Sequence, residues 1–245
     1  MEHMVYQLGG SAGETTRRRF VGVAGAAGLG ALAASQLGTL RALAQSTESV
    51  AEIINIAATA EALAVTLTGA VIAGARGYDG GRGLSPMLVR WVKGIQAEEQ
   101  LHYEYLTKAG AKPLTLVFTA PQNLVDITKE SKALLDFVVA ADGIFIGAYV
   151  AAAAEFAGLG QPALAQVALQ VCGVECEHRV LARYGTGAVP PNNLGFEEAP
   201  FHTVGEAAAK VKALGLLGTQ NPAATLHYRE FAGKVDFTGV SGRTP

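Results

Sequence analysis

Two stretches of this chain place a glutamate three residues before a histidine: Glu99-Gln100-Leu101-His102 and Glu175-Cys176-Glu177-His178. On a helix, positions i and i+3 share a face, so a carboxylate and an imidazole at this spacing can grip one cation together. One such pair is weak evidence, because glutamate and histidine fall three apart by chance. Two pairs on comparable helices are far more informative. A two-metal centre also needs a carboxylate from each of two further helices. Glu61 is one candidate, standing alone among Ala57, Ala58, Ala60, Ala62, Leu63, Ala64 and Val65. Burial of a charge is rare unless the charge is paired or liganded. The other candidate comes from Asp136, Asp142 and Glu155. Glu61 precedes Glu99 by 38 residues and Asp142 precedes Glu175 by 33, so Asp142 is the counterpart by level. Glu155 is thirteen residues further on, about 220° around a helix from Asp142, and points elsewhere. Tyr149 shares the Asp142 face. Packing is its ordinary role, and a hydrogen-bond donor or one-electron relay beside metals is the functional alternative.

These side chains need long helices to hold them, and the pattern supplies four. The first spans residues 49–75, opened by the capping box Ser49-Val50-Ala51-Glu52. Ile53, Ile56, Ala57, Ala60, Ala64, Leu67 and Val71 keep helical spacing. A glycine-rich connection follows, without the Gly-Lys-Ser/Thr of a phosphate cradle. The second helix starts with Ser85 as cap and Pro86 in the first turn, and ends near Ala109 before Gly110. A long connection, with Pro113, a β-prone run over residues 114–119 and Pro121, then crosses from one end of the bundle to the other. The third helix starts within residues 129–131 and runs to Ala157, and the fourth covers residues 162–184. Thr203-Val204-Gly205-Glu206 opens a short fifth helix to about Leu214. The rest is coil with room for one short strand.

The succession Glu, Glu-x-x-His, acidic residue, Glu-x-x-His over residues 49–217 resembles the ferritin-like four-helix bundle of the exported, desiccation-related type. Glu61, Glu99, His102, Glu175 and His178 match that motif residue by residue. Asp142 departs from it, being one methylene shorter than glutamate. The resemblance implies an all-α bundle with a long crossover between helices 2 and 3, a short fifth helix and an irregular C-terminal tail. It implies a centre of two Fe or Mn ions per chain, held by Glu61, Glu99, His102, Asp142, Glu175 and His178. Hard oxygen ligands with imidazole suit those metals. Oxygen or peroxide would be the co-reactant, in iron oxidation or oxidative-stress handling of ferroxidase or manganese-catalase type. The shorter aspartate weakens one metal position and bears on fast iron oxidation more than on metal binding. The alternative is a non-enzymatic protective or envelope-binding bundle with a degenerate site.

Other residues carry blander readings. Glu98, Glu104 and Glu177 read as solvated or as supports for the ligands. His202 and His227 lie outside the bundle pattern. Cys172 and Cys176 read as small buried apolar residues; a mutual disulfide would be strained, and a thiolate ligand runs against the hard donor set.

Half of the 245 residues are apolar and 16% are charged, which supports a sizeable core and excludes a disordered chain. A net charge of −2 gives no basic excess for nucleic acid. The first 44 residues read as an address. Thr16-Arg17-Arg18-Arg19-Phe20 precedes an uncharged Gly/Ala-rich run and the small-residue site Ala42-Leu43-Ala44. This resembles a twin-arginine signal and implies export of a folded protein to the periplasm or beyond. Membrane contact is then confined to that segment. The domain expectation is a signal at 1–44, a bundle at 45–217 and a tail at 218–245, with a small homo-oligomer as a possible assembly.

Overall fold

The computed structural model describes residues 48–74, 86–127 and 131–245. Residues 1–44, read above as an export signal, most of the glycine-rich connection and the Ser85 cap lie outside the described residues. Four long helices dominate: α1 (Val50–Ile72), α2 (Pro86–Lys108), α4 (Ser131–Gly158) and α5 (Pro162–Gly185). Shorter elements are β1 (Val117–Ala120), α3 (Gln122–Ile127), α6 (Val204–Ala213), β2 (Ala224–His227) and α7 (Arg229–Ala232). The sequence boundaries hold to within a few residues. Ser49 caps α1 as expected, its hydroxyl accepting from the Glu52 amide while Glu52 Oε2 accepts from the Ser49 amide at 2.7 Å. At α6 the box is displaced by one residue: Thr203 accepts from the Glu206 amide, but Glu206 accepts from the His202 amide.

Helix α1 packs on α2, and α4 packs on α5; α2 also meets α5, and α1 meets α4. Each helix runs between two apolar clusters, and the order in which it meets them gives its direction. One cluster holds Ile53, Ala57, Leu106, Tyr149, Phe156, Ala168 and Val171. The other holds Leu88, Leu134, Leu135 and Ala182, with Val71 against it. Helices α1 and α5 therefore run from the first cluster to the second, and α2 and α4 from the second to the first. Consecutive parallel helices such as α2 and α4 need a connection about as long as the bundle, roughly 1.5 Å per helical residue. That is the mechanical reason for the long crossover.

The crossover is tied down along its course. Asn55 Oδ1 accepts from the Lys112 amide at 2.6 Å, and Thr59 Oγ1 accepts from the Leu114 amide at 2.8 Å. The β-prone run expected over residues 114–119 forms β1, and the one short strand expected in the tail forms β2. The two pair antiparallel, Val117 opposite His227 and Ala120 opposite Ala224. The tail is thus partly ordered. Tyr228 donates to Gln100 Oε1 at 2.8 Å and its ring lies 4.7 Å from that of Tyr103. Phe118, fully buried, packs with Leu63, Val65, Leu216 and Tyr228. A side chain at Gly69 would meet Gln96 Nε2 at 2.6 Å and Phe231 at 2.7 Å, so glycine there lets α1, α2 and α7 approach.

By length and composition alone, α1 and α4 could each cross a membrane. Both carry buried carboxylates: Glu61 on α1, Asp142 and Glu155 on α4. Glu155 lies away from the other carboxylates, as its helical phase requires. It accepts from the Val204 amide at 2.9 Å, and Glu48 accepts from the Gly205 amide at 3.0 Å. Two carboxylates therefore sit at the N-terminus of α6, where unpaired amides and the helix dipole favour negative charge. Glu155→Ala is expected to lower unfolding stability in urea by about 1–3 kcal/mol through a buried amide left unpaired, with metal content unchanged.

Candidate metal centre

Midway between the two apolar clusters lies a polar layer to which all four long helices contribute. Glu61 comes from α1, Glu99 and His102 from α2, Asp142 and Tyr149 from α4, and Glu175 and His178 from α5. One donor atom from each of Glu61, Glu99, His102 and Glu175 falls within 4.8 Å of the others. His102 Nδ1 lies 3.3 Å from Glu61 Oε2 and 3.5 Å from Glu99 Oε2. His178 Nδ1 lies 3.4 Å from both Glu99 Oε1 and Glu175 Oε2. Glu99 therefore turns one oxygen to each imidazole. Its residue is 3% exposed and that of Glu175 1% exposed, so water does not solvate these charges.

The donor atoms converge without bonding one another. Glu99 Oε2, His102 Nδ1, Asp142 Oδ2, Glu175 Oε2 and His178 Nδ1 are all buried and lack a hydrogen-bond partner. The contacts of the two imidazoles with Glu61, Glu99 and Glu175 have the distances of ion pairs but not the angles of hydrogen bonds. Buried polar atoms are nearly always satisfied, so five such atoms in one layer mark a place shaped for something else.

Supporting contacts fix the orientation of the donors. Tyr149 donates its hydroxyl to Glu61 Oε1. His178 Nε2 lies 2.8 Å from Glu98 Oε2, on the half-exposed rim of α2. With a proton on Nε2 donated to Glu98, a neutral His178 directs its Nδ1 lone pair at Glu99 and Glu175. Asp142 stands beside Glu175, His178 and Arg179, outside the tight group of four donors. Arg179 makes a two-pronged ion pair with Glu197 at 2.5 and 2.6 Å, and Arg183 Nε donates to the Pro191 carbonyl at 2.6 Å. These bonds hold the Pro/Asn/Gly loop against α5.

The remaining candidates fall as expected or nearly so. Glu104 pairs with Gln100 and Lys108 near the surface, Glu177 is exposed, and His202 and His227 lie away from the layer. Cys172 donates to the Ile146 carbonyl at 3.9 Å and Cys176 to Glu197 at 3.6 Å. Burial, with the neighbouring thiol and Glu197, pushes Cys176 up to about 12, so it stays a thiol. Glu98 supports a ligand, one of its two expected readings, but its pairing with His178 and the Arg179–Glu197 pair carry no sequence signal. Both join residues on different elements, with Glu197 in an irregular loop, and helical spacing carries no signal for them.

No family model, curated protein or solved structure matches this chain. The chemistry of the layer is therefore read from its own groups.

Burial, then the charges of Glu175 and Glu61, raises Glu99 to about 8. Burial, with Glu175 and Glu99 adding to it, pushes Asp142 well up, against His178 and Arg179. Burial alone would lower the two histidines, but Glu61 and Glu99 beside His102, and Glu175, Glu98 and Glu99 beside His178, hold both well above the ordinary value. Glu61 runs the other way: burial raises it, and His102 more than offsets this. Without metal, Glu99 thus keeps a proton at neutral pH, and Asp142, His102 and His178 each hold theirs to higher pH than usual.

Folded pKa values above unfolded ones mean that the folded chain binds more protons. Between the ordinary 4.5 of Glu99 and its folded value of about 8, stability falls as pH rises. His102, His178 and Asp142 act in the same direction through their own raised values, and Glu61 opposes them only in acid. The metal-free protein is expected to melt at a lower temperature near pH ~8.5 than near pH ~6. Binding of Co(II) as a probe near neutral pH should release protons, detectable by calorimetry in buffers of different ionisation enthalpy.

Proposed function

We propose that this chain is an exported ferritin-like protein whose mid-bundle layer binds two Fe or Mn ions and serves iron oxidation or peroxide handling. The observation that carries the reading is Glu99 with one oxygen toward each of two buried imidazoles, among five unpaired donor atoms. The fold supports it through paired helices with parallel α2 and α4 joined by a long crossover. The donor set is oxygen-rich with two imidazoles, the chemistry that Fe and Mn favour. Glu61 with His102 would hold one ion, Glu175 with His178 the other, and Glu99 would be shared. Asp142 would complete the second position from α4. When bound, such a pair of ions supplies one-electron steps for the reduction of oxygen or peroxide.

The chain's own groups do the rest. Tyr149 fixes one oxygen of Glu61 and leaves the other for a cation. Glu98 holds the His178 ring and offers a proton acceptor at Nε2. The apolar clusters above and below exclude bulk water, which strengthens every charge interaction between them. The layer also closes its own charge with protons, and that favours a second reading: a metal-free structural bundle with a protective or envelope-binding role. Metal analysis separates the two. The twin-arginine segment fits loading before export of a folded protein.

Protein isolated from its exporting host is expected to contain about two Fe or Mn ions per chain. Addition of either metal to the stripped protein should raise the melting temperature by mass action. His102→Ala or Glu175→Ala should abolish most of that rise. Asp142→Glu should hold or tighten the second ion, since the longer side chain reaches further. If neither metal binds the wild type under any loading condition, the structural reading stands instead. For the leader, Arg17→Lys with Arg18→Lys is expected to trap the precursor inside the cell. Exported wild-type protein should begin near Gln45.

A further inference from the structure

A cavity of about 110 Å³ lies between α1, α2, α4 and α5 on one side of the polar layer. Its walls are apolar, with Ile53, Ala57, Ala152, Phe156, Ala168 and Val171 among them. His102 and Tyr149 line it toward the polar layer, and both contact Glu61. Glu104, Tyr105, Lys108, Arg243 and Thr244 line it as well, and Lys108, Arg243 and Thr244 are exposed to solvent. The small side chains are the reason for the space: Ala57, Ala152 and Ala168 face one another where larger residues would close the core.

We propose that this cavity is a binding site for a small, uncharged, apolar molecule, seated against His102 and Tyr149. An apolar cavity of about 150 Å³ stays dry and takes up benzene, so a volume somewhat smaller suits a molecule of benzene size or less. A charged molecule seated deep among Ile53, Ala57, Phe156 and Val171 would lose its water against apolar walls, because the charged residues that line the cavity, Glu104 and Lys108 among them, keep much of their side chains in solvent. Dioxygen is within the size limit. The occupant's link to a metal rests on the reading above, but its binding to the cavity does not. The cavity would bring a neutral reactant to the His102 side of the layer without opening the layer to water.

The test uses the full folded chain, first stripped of metal and then loaded with Co(II), with benzene as probe. Amide chemical shifts should move saturably at Ala57, Ala152 and Val171. Ala168→Leu, which fills the cavity, should weaken benzene binding by about tenfold or more. Phe156→Ala, which enlarges it, should bind p-xylene about tenfold more tightly than the wild type. In the Co(II) protein, benzene should alter the d–d absorption bands through His102. Saturable binding lost in the filled variant supports the site, even if Co(II) does not bind; that outcome would remove only the metal reading. Absence of benzene binding in a protein that binds Co(II) overturns the cavity proposal and leaves the metal reading intact. Shifts confined to the surface, or unaffected by either variant, overturn it equally.

Discussion

Four carboxylates share a dry layer in the middle of this bundle, and that constraint governs the rest of the structure. Glu61, Glu99, Asp142 and Glu175 are each nearly or wholly excluded from solvent. Like charges at this spacing repel, and desolvation penalises each one singly. Positive charge must enter the layer with them. In the metal-free chain the raised proton affinity of Glu99, Asp142, His102 and His178 supplies it. The four helix directions, the crossover and the i,i+3 spacing all serve to bring those groups to one level. Apolar clusters at both ends then keep water out.

Much of this was legible in the sequence because helices are local. Ser49 and Glu52 announced the start of α1, and Gly110 the end of α2. Glu61 was recognisable because a charge amid alanine, leucine and valine has few reasons to be there. The Glu-x-x-His pairs needed only helical phase. Glu155 illustrates where phase stops: it gave the direction of the side chain but not what covers it. That cover is the N-terminus of α6, 49 residues further on. Strand β1 was visible as a β-prone run, yet its partner β2 lies about a hundred residues away and is short. Nothing in either segment names the other.

Composition explains the packing better than motif does. The core is built largely from alanine with few aromatics, and small side chains let α1 approach α2 and α4 approach α5 closely. Gly69 shows the limit, where even a methyl group would collide with Gln96 and Phe231. Small residues also pack less tightly in places where backbones cannot close the gap. Space beside Tyr149 is the consequence, with Ala57, Ala152 and Ala168 among its walls. A core of leucine and phenylalanine would hold the same helices further apart and leave the polar layer without neighbouring room.

The two imidazoles consequently live in different surroundings. His178 has its outer nitrogen on Glu98, whose side chain is 36% exposed, so an acidic group connects that ring to water. His102 has an apolar cavity beside it and the Tyr149–Glu61 pair behind it. Carboxylates stand near both rings, Glu98 on the His178 nitrogen and Glu104 in the lining of the cavity beside His102. The sequence carries the Glu-x-x-His motif twice, but the fold gives each copy its own surroundings.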